Sequence, residues 1–385
     1  MNKVDRIIKT IYRENVDYMP SQITFADKSR DDEIAIGLGL RDKTELPEYL
    51  ENHIEFLYTK HDLPLFYRND LELMRELHSE GVVGLDEENR IVYDVWGVGI
   101  EISDQGFFPK YAPLKGDKEA NNKARKFLPR NFNIDLLDMG LEQSVREYIV
   151  PNHLSYNNLI DLTEHAKTWT EDLLPIYSGY FGIFERSHGI LGWEQIMLYF
   201  ALYPDLVEEM MDKVVGYKIS LAEEYVKMGV KICHHGDDLG MQSGTLFSKD
   251  MIQQMYLPKM KKLFKVYKDA GMKIIYHSCG NITSIIPDLI DAGVDVLEPV
   301  QPCMNLKFLK ENYGNDLIFM GGIDTQHVLP HGTPEEVRKH AREVIRTLGK
   351  NGGYIIAPAQ EIMNDVPLEN IIALVQTMKE ERANF

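Results

Sequence analysis

Apolar and polar positions along the second half of the chain change period with unusual regularity. Short runs rich in β-branched residues recur at 179–184 (GYFGIF), 230–235 (VKICHH), 273–278 (KIIYHS), 294–299 (VDVLEP), 317–322 (LIFMGG) and 353–358 (GYIIAP). Between them lie stretches with a 3.6-residue period, such as DLVEEMMDKVVGYKISLAEEYVKMG and KDMIQQMYLPKMKKLFKVYKDAG. The second of these has Asp250 near its start and a glycine stop at Gly271. Near-continuous apolar strands alternating with helices predict buried parallel strands. Two earlier runs, SQITFA (21–26) and EGVVGL (80–85), bring the count to about eight. Eight βα units predict an α/β protein built as a (β/α)8 TIM barrel, and no GxGxxG follows the first strand to favour a dinucleotide-binding sheet.

The first twenty residues, MNKVDRIIKTIYRENVDYMP, read as an amphipathic N-terminal helical extension that stops at a proline. Segment 86–175 is too long for one crossover, and its RIVYDVWGVGIEIS predicts an inserted hairpin or small subdomain after the second strand, over the barrel mouth. The expected organisation is therefore one domain, 1–385, carrying that insertion.

Composition narrows the function without choosing it. The chain has 385 residues, 44% hydrophobic and 26% charged, with a formal net charge of -18. No basic block or basic–aromatic interleaving occurs, so a nucleic-acid partner is not expected. No apolar run approaches the roughly 18 residues of a membrane span, so no membrane partner is expected either. Three scattered cysteines, Cys233, Cys279 and Cys303, suit a reducing compartment, and the expected location is cytoplasmic.

In a barrel of this kind chemistry gathers at the C-terminal ends of the strands. Those ends carry Glu185 and His188; His234, His235, Asp237 and Asp238; His277 and Cys279; Glu298 and Gln301; Asp324 and Gln326; and Gln360 and Glu361. The pair His277-x-Cys279 puts an imidazole and a thiol at one strand end, a donor pair suited to Zn²⁺ that still needs a third ligand. In HHGDDLG, the glycines Gly236 and Gly240 let the backbone turn tightly around His235, Asp237 and Asp238, which are candidates for general acid–base work, substrate binding or support of a metal. The plainer alternative is a solvated loop with one aspartate capping the next helix.

Longer motifs carry a resemblance. GDDLGMQSG, YHSCGNITSIIPDLIDAGVDVLEPVQP, FMGGIDTQHVLPHGTPEEV and GGYIIAPAQEIMNDVPLENI resemble the uroporphyrinogen decarboxylase superfamily, most of all its corrinoid-linked methyltransferase branch. The resemblance is close in the C-terminal half and loose in the N-terminal half. It implies a (β/α)8 barrel, and relatives that often dimerise. In the methyltransferase branch the H-x-C pair matching His277 and Cys279 binds zinc, and the third ligand is a cysteine in an A-P-G-C setting. Here that stretch reads Ala357-Pro358-Ala359-Gln360, so Gln360 stands in the ligand position, and Glu298, Glu361 or His235 is an alternative donor. The decarboxylases carry an arginine-rich R-Q-A-G-R motif for porphyrin carboxylates. The matching region, QITFADKSRDD, has only Lys28 and Arg30 among several acids, the wrong charge for an octacarboxylate.

What the resemblance implies is a methyltransferase that moves a methyl group between a small compound (methoxyaromatic, methanol or methylthiol class) and the cobalt of a corrinoid supplied by a partner protein. Zn²⁺ would act as Lewis acid, with His277, Cys279, Gln360 and Glu298 as the metal set. His235, Asp237 and Asp238 are the expected catalytic residues, and Glu185, Gln301, Asp324 and Gln326 the expected substrate contacts. The rival expectations are a metal-free tetrapyrrole decarboxylase and a non-catalytic binding protein on the same barrel.

Overall fold

A computed structural model describes residues 1–103, 109–159, 173–179 and 181–384. Its centre is a curled sheet of seven parallel strands: β1 (Ile54–Leu57), β6 (Leu174–Gly179), β7 (Ile232–Gly236), β10 (Lys273–His277), β11 (Val296–Val300), β12 (Ile318–Ile323) and β13 (Tyr354–Pro358), in that spatial order. Between β1 and β6 lies an antiparallel sheet of β2 (Gly84–Asp86), β3 (Ile91–Tyr93), β4 (Gly99–Glu101) and β5 (Pro109–Tyr111). After β7 comes a short hairpin, β8 (Gly240–Met241) and β9 (Gly244–Thr245).

Segment 20–26 stands between the outer strands. Ser21 bridges in parallel to both Asn52 and Ile356, and the amide of Gln22 donates to Ile356 O at 2.9 Å. This is consistent with a (β/α)8 arrangement, although the pairing there is by isolated bridges and not by a regular strand.

Three expectations need correction. The run 80–85 ends in β2 of the antiparallel sheet and is no barrel stave, so the insertion follows β1, the first regular parallel strand. The true first strand, β1, has only four residues and was not anticipated. The run 179–184 is also split: the strand lies earlier, at Leu174–Gly179, and Ile183 already begins a helix that continues to Leu191. Parts of the expected insertion, 104–108 and 160–172, fall outside the described residues.

Strand period 2 sorts the side chains into two layers. One layer holds Ile54, Leu174, Ile176, Ile232, Ile275, Val296, Ile318, Met320, Ile355 and Ala357, inside the curl of the sheet. The helix Lys3–Ile11 adds Ile7 and Ile11 to it, which explains the amphipathic N-terminal pattern. The alternate residues, among them Cys233, Tyr276, Leu297 and Phe319, pack outward with the helices in the larger core. Continuing the inner set upward along each strand leads to Ser178, His234, His277 and Glu298, a polar layer above the apolar one. Among the described residues, no helix is long and apolar enough to cross a membrane.

Candidate functional site

The register of three neighbouring strands assembles the polar layer. His277 pairs with Gly236 on β7 and with Glu298 on β11. Its Nδ1 lies 2.7 Å from Glu298 Oε2, and the same oxygen is 3.1 Å from His234 Nε2. His234 Nδ1 in turn meets the Ser178 hydroxyl at 2.8 Å. Burial alone would raise the Glu298 carboxyl, but His277 and His234 together hold it well below the usual carboxylate range.

The other nitrogen of His277 faces a different set. Nε2 is 3.4 Å from Asp238 Oδ1 and 3.7 Å from Cys279 Sγ. Asp238 also accepts the Cys279 N–H at 2.8 Å, which ties the β7 loop to the β10 loop. Two glycines permit that approach: a Cβ on Gly240 would sit 2.5 Å from Cys279 O, and one on Gly280 would sit 2.2 Å from the Gly240 carbonyl carbon. Burial opposes it, but His277 and the Cys279 amide keep Asp238 below its ordinary value, so it is an anionic donor. Burial, reinforced by Asp238, pushes the Cys279 thiol up to about 11. Gln301 steadies this corner, accepting the Gly280 N–H at 2.7 Å while its amide lies 2.8 Å from Ala359 O and 3.5 Å from Cys279 Sγ.

Two donor groups therefore share His277: His234, His277 and Glu298 on one side, Asp238, His277 and Cys279 on the other. The second offers an imidazole, a thiol and a carboxylate, a set that suits tetrahedral Zn²⁺ with one position left open. Glu298 on Nδ1 turns Nε2 toward Asp238 and Cys279, the arrangement by which a carboxylate orients a histidine for metal binding. Asp238 was not anticipated as a donor. The signal lay only in the β7–β10 register, which sequence spacing does not reveal. Gln360 instead lines a small recess with Tyr58, His234, Glu298 and Glu361. Cys233 and Cys303 stand outside both groups.

The remaining candidates divide clearly. Glu185 and His188, three apart on one helix face, both line a cavity of about 710 Å³ that also reaches Asp238. Burial, then Asp238 and Asp237, raises Glu185 well above its ordinary value, and burial lowers His188 to about 4. Asp237 is fully buried and caps that helix from across the sheet, accepting the N–H groups of Phe184 at 2.8 Å and Glu185 at 2.7 Å. Gly182 makes this possible, since a Cβ there would lie 2.0 Å from Gly236 O.

The structure does not bring His235 to the cluster. One step from His234, it belongs to the outward layer and packs on Phe264 at 5.4 Å and near Tyr276 at 6.3 Å. Asp324 accepts the N–H groups of Gln326 at 2.7 Å and His327 at 2.9 Å, organising its own turn. Gln326 is exposed and touches Gln242 at 3.1 Å.

A family model described as uroporphyrinogen decarboxylase (URO-D) matches residues 147–381. The chain belongs to the uroporphyrinogen decarboxylase family. Within this family it is 25% identical over 214 residues to a methylated-thiol–coenzyme M methyltransferase of Methanosarcina mazei, covering 54% of each chain. It is 24% identical over 206 residues to a methylcobamide:CoM methyltransferase of Methanosarcina acetivorans, covering 54% of this chain and 58% of the relative. A uroporphyrinogen decarboxylase of Chlorobium luteolum is 25% identical over 186 residues, 46% of this chain and 51% of that one. The chain thus spans about half the length of the curated relatives it matches. A solved methyltransferase from Methanosarcina mazei superposes with a TM-score of 0.62 at 20% identity, covering 99% of both chains, which is a likeness of fold.

Proposed function

We propose that this uroporphyrinogen decarboxylase family member is a zinc-dependent methyltransferase that passes a methyl group between a small methylated compound and the cobalt of a corrinoid protein. The observation that carries the reading is the convergence of His277 Nε2, Cys279 Sγ and Asp238 Oδ1, beside a cavity that Asp238 and Glu185 line. In this reading His277, Cys279 and Asp238 hold the ion, Glu298 orients His277, and Gln301 orients Cys279. When bound, Zn²⁺ supplies Lewis acidity toward an oxygen or sulfur atom at the open position. Glu185 faces the same cavity and holds a proton for the group that loses the methyl. A closed (β/α)8 barrel, with segment 20–26 as its eighth stave, is the framework we propose for the whole chain, 1–385.

The names of the methyltransferase relatives support this reading over the tetrapyrrole decarboxylase. So does the segment 21–32, where Arg30 is paired with Glu33 at 2.6 Å among acidic neighbours. The test is metal content together with turnover. Purified protein is expected to carry ~1 zinc per chain, and His277→Ala and Asp238→Ala to lose most of it, while Gln360→Ala keeps it. The wild type is expected to methylate cob(I)alamin from at least one donor, followed by cobalt absorbance. Protein without zinc, or zinc retained in full by both His277→Ala and Asp238→Ala, would overturn the proposal.

A further inference from the structure

Four neighbouring strands each turn one polar side chain into the layer above the apolar one. Ser178 on β6 pairs in register with His234 on β7, and His277 on β10 pairs with Glu298 on β11. The four side chains form one line of contacts. Ser178 Oγ meets His234 Nδ1 at 2.8 Å, and His234 Nε2 meets Glu298 Oε2 at 3.1 Å. The same oxygen meets His277 Nδ1 at 2.7 Å. Ser178, His234 and His277 are buried, and the Glu298 side chain is 14% exposed. Neither Ser178 nor His234 lines the cavity beside Asp238, and methyl transfer as proposed gives neither a task.

The donors and acceptors of this line fit together in one direction. A carboxylate only accepts, and a neutral imidazole carries one N–H. With both histidines on one Glu298 oxygen, each must present its N–H there: His277 from Nδ1 and His234 from Nε2. His234 Nδ1 is then an acceptor, and the Ser178 hydroxyl supplies the proton it needs. The other tautomer of His234 would set the Nε2 lone pair against the carboxylate at 3.1 Å, and two acceptors facing each other in a buried site are costly. Phe56 packs on the ring from the side, with centroids 5.1 Å apart. Without His234, Glu298 Oε2 keeps the His277 contact alone among the described residues. It stands beside a recess that Gln360 and Glu361 also line, toward which the carboxylate is then free to turn.

We propose that Ser178 and His234 are positioning residues. Ser178 sets the tautomer of His234, His234 holds the Glu298 carboxylate, and Glu298 thereby keeps His277 with Nε2 turned to Asp238 and Cys279. The consequence for zinc affinity rests on the metal reading above; the hydrogen-bond directions do not.

The test starts from full-length protein, 15N-labelled at histidine and stripped of metal, whose long-range 1H–15N spectra separate the two imidazole tautomers. His277 is expected in the Nδ1–H form and His234 in the Nε2–H form, and Ser178→Ala is expected to leave His234 a mixture of both. Zinc affinity is then read by competition with a chelator. His234→Ala is expected to lower it about tenfold, with circular dichroism unchanged. His234→Gln, whose side-chain N–H points toward Glu298, is expected to restore most of the loss. In a Glu298→Gln background His234→Ala is expected to cost nothing further, because it acts through that carboxylate. A wild-type His234 in the Nδ1–H form overturns the proposal. So does a His234→Ala variant with unchanged zinc affinity, or with the same loss in both backgrounds. Wild-type protein that shows the expected tautomers and takes up no zinc overturns the metal reading and leaves the hydrogen-bond assignment standing.

Discussion

The imidazole of His277 offers its two nitrogens to different neighbours, and that division decides what the ring can do. With Nδ1 held by Glu298 at 2.7 Å, the proton belongs on that side and Nε2 is left to donate. Replacing Glu298 by Gln keeps a hydrogen-bonding group but removes the charge. We predict that Glu298→Gln lowers zinc affinity about 10- to 100-fold, measured by competition with a chromogenic chelator. An affinity equal to wild type would mean that Glu298 does not orient the ligand. At this scale the H-x-C pair was legible, because two donors two residues apart at a strand end need no tertiary knowledge. The third donor was not. Gln360 occupies the position the resemblance points to, but the strand register brings Asp238 to His277 at 3.4 Å. The step from His234 to His235 shows the same limit: adjacent histidines face opposite layers, and only the pairing tells which is inside.

At the scale of elements, one buried ion group joins the cavity helix to the antiparallel sheet. Arg186, on the helix Ile183–Leu191, reaches Asp94 at 2.5 Å and Asp62 at 3.2 Å, and all three side chains are buried. Asp94 in turn accepts the amides of Trp96 at 2.9 Å and Val98 at 3.0 Å, shaping the turn between β3 and β4. Removing the cation would leave two carboxylates without their partner in a dry site. Arg186→Met is predicted to cost about 3–5 kcal/mol at pH 7, read as a lower midpoint in thermal or urea unfolding. The deficit should shrink as pH falls toward 4. Burial already raises the Asp94 carboxyl, and without Arg186 its protonation relieves the penalty; above the unfolded-state value the penalty returns. A deficit that does not change with pH would show that lost packing, and not stranded charge, is the cause. The helix itself was misread in the sequence for a physical reason. Gly179 to Phe184 is a continuous apolar run suited to a strand, and its last residues turn helical because Asp237 accepts the N–H groups of Phe184 and Glu185. That capping is a long-range contact that local propensity does not contain.

For the whole molecule, near-continuous apolar runs with helical spacers were enough to point to a parallel sheet, even though two of the eight expected staves were misassigned. The observed sheet has seven strands: β1 takes the place expected for 80–85, and segment 20–26 pairs only through isolated bridges. If the group binds zinc as proposed, the sheet's curl would couple metal binding to global stability, since Asp238, His277 and Cys279 come from the ends of β7 and β10 and meet only in the folded chain. Cys279 sets the pH dependence of that coupling. Its thiol is pushed up to about 11 by burial and Asp238, which favours the protonated form at neutral pH, whereas a bound zinc ion would take the thiolate. Binding therefore releases a proton, and the thiolate fraction rises about tenfold for each pH unit below that value. The stabilisation conferred by a fixed free zinc concentration above the dissociation constant is then predicted to grow by about 1.4 kcal/mol per pH unit between pH 6 and 8. The measurement is the difference in unfolding free energy with buffered zinc and with chelator, at several pH values. Cys279→Ser is expected to abolish most of the difference, and His277→Ala all of it. A wild-type difference that stays flat with pH would mean that the Cys279 thiolate is not among the ligands.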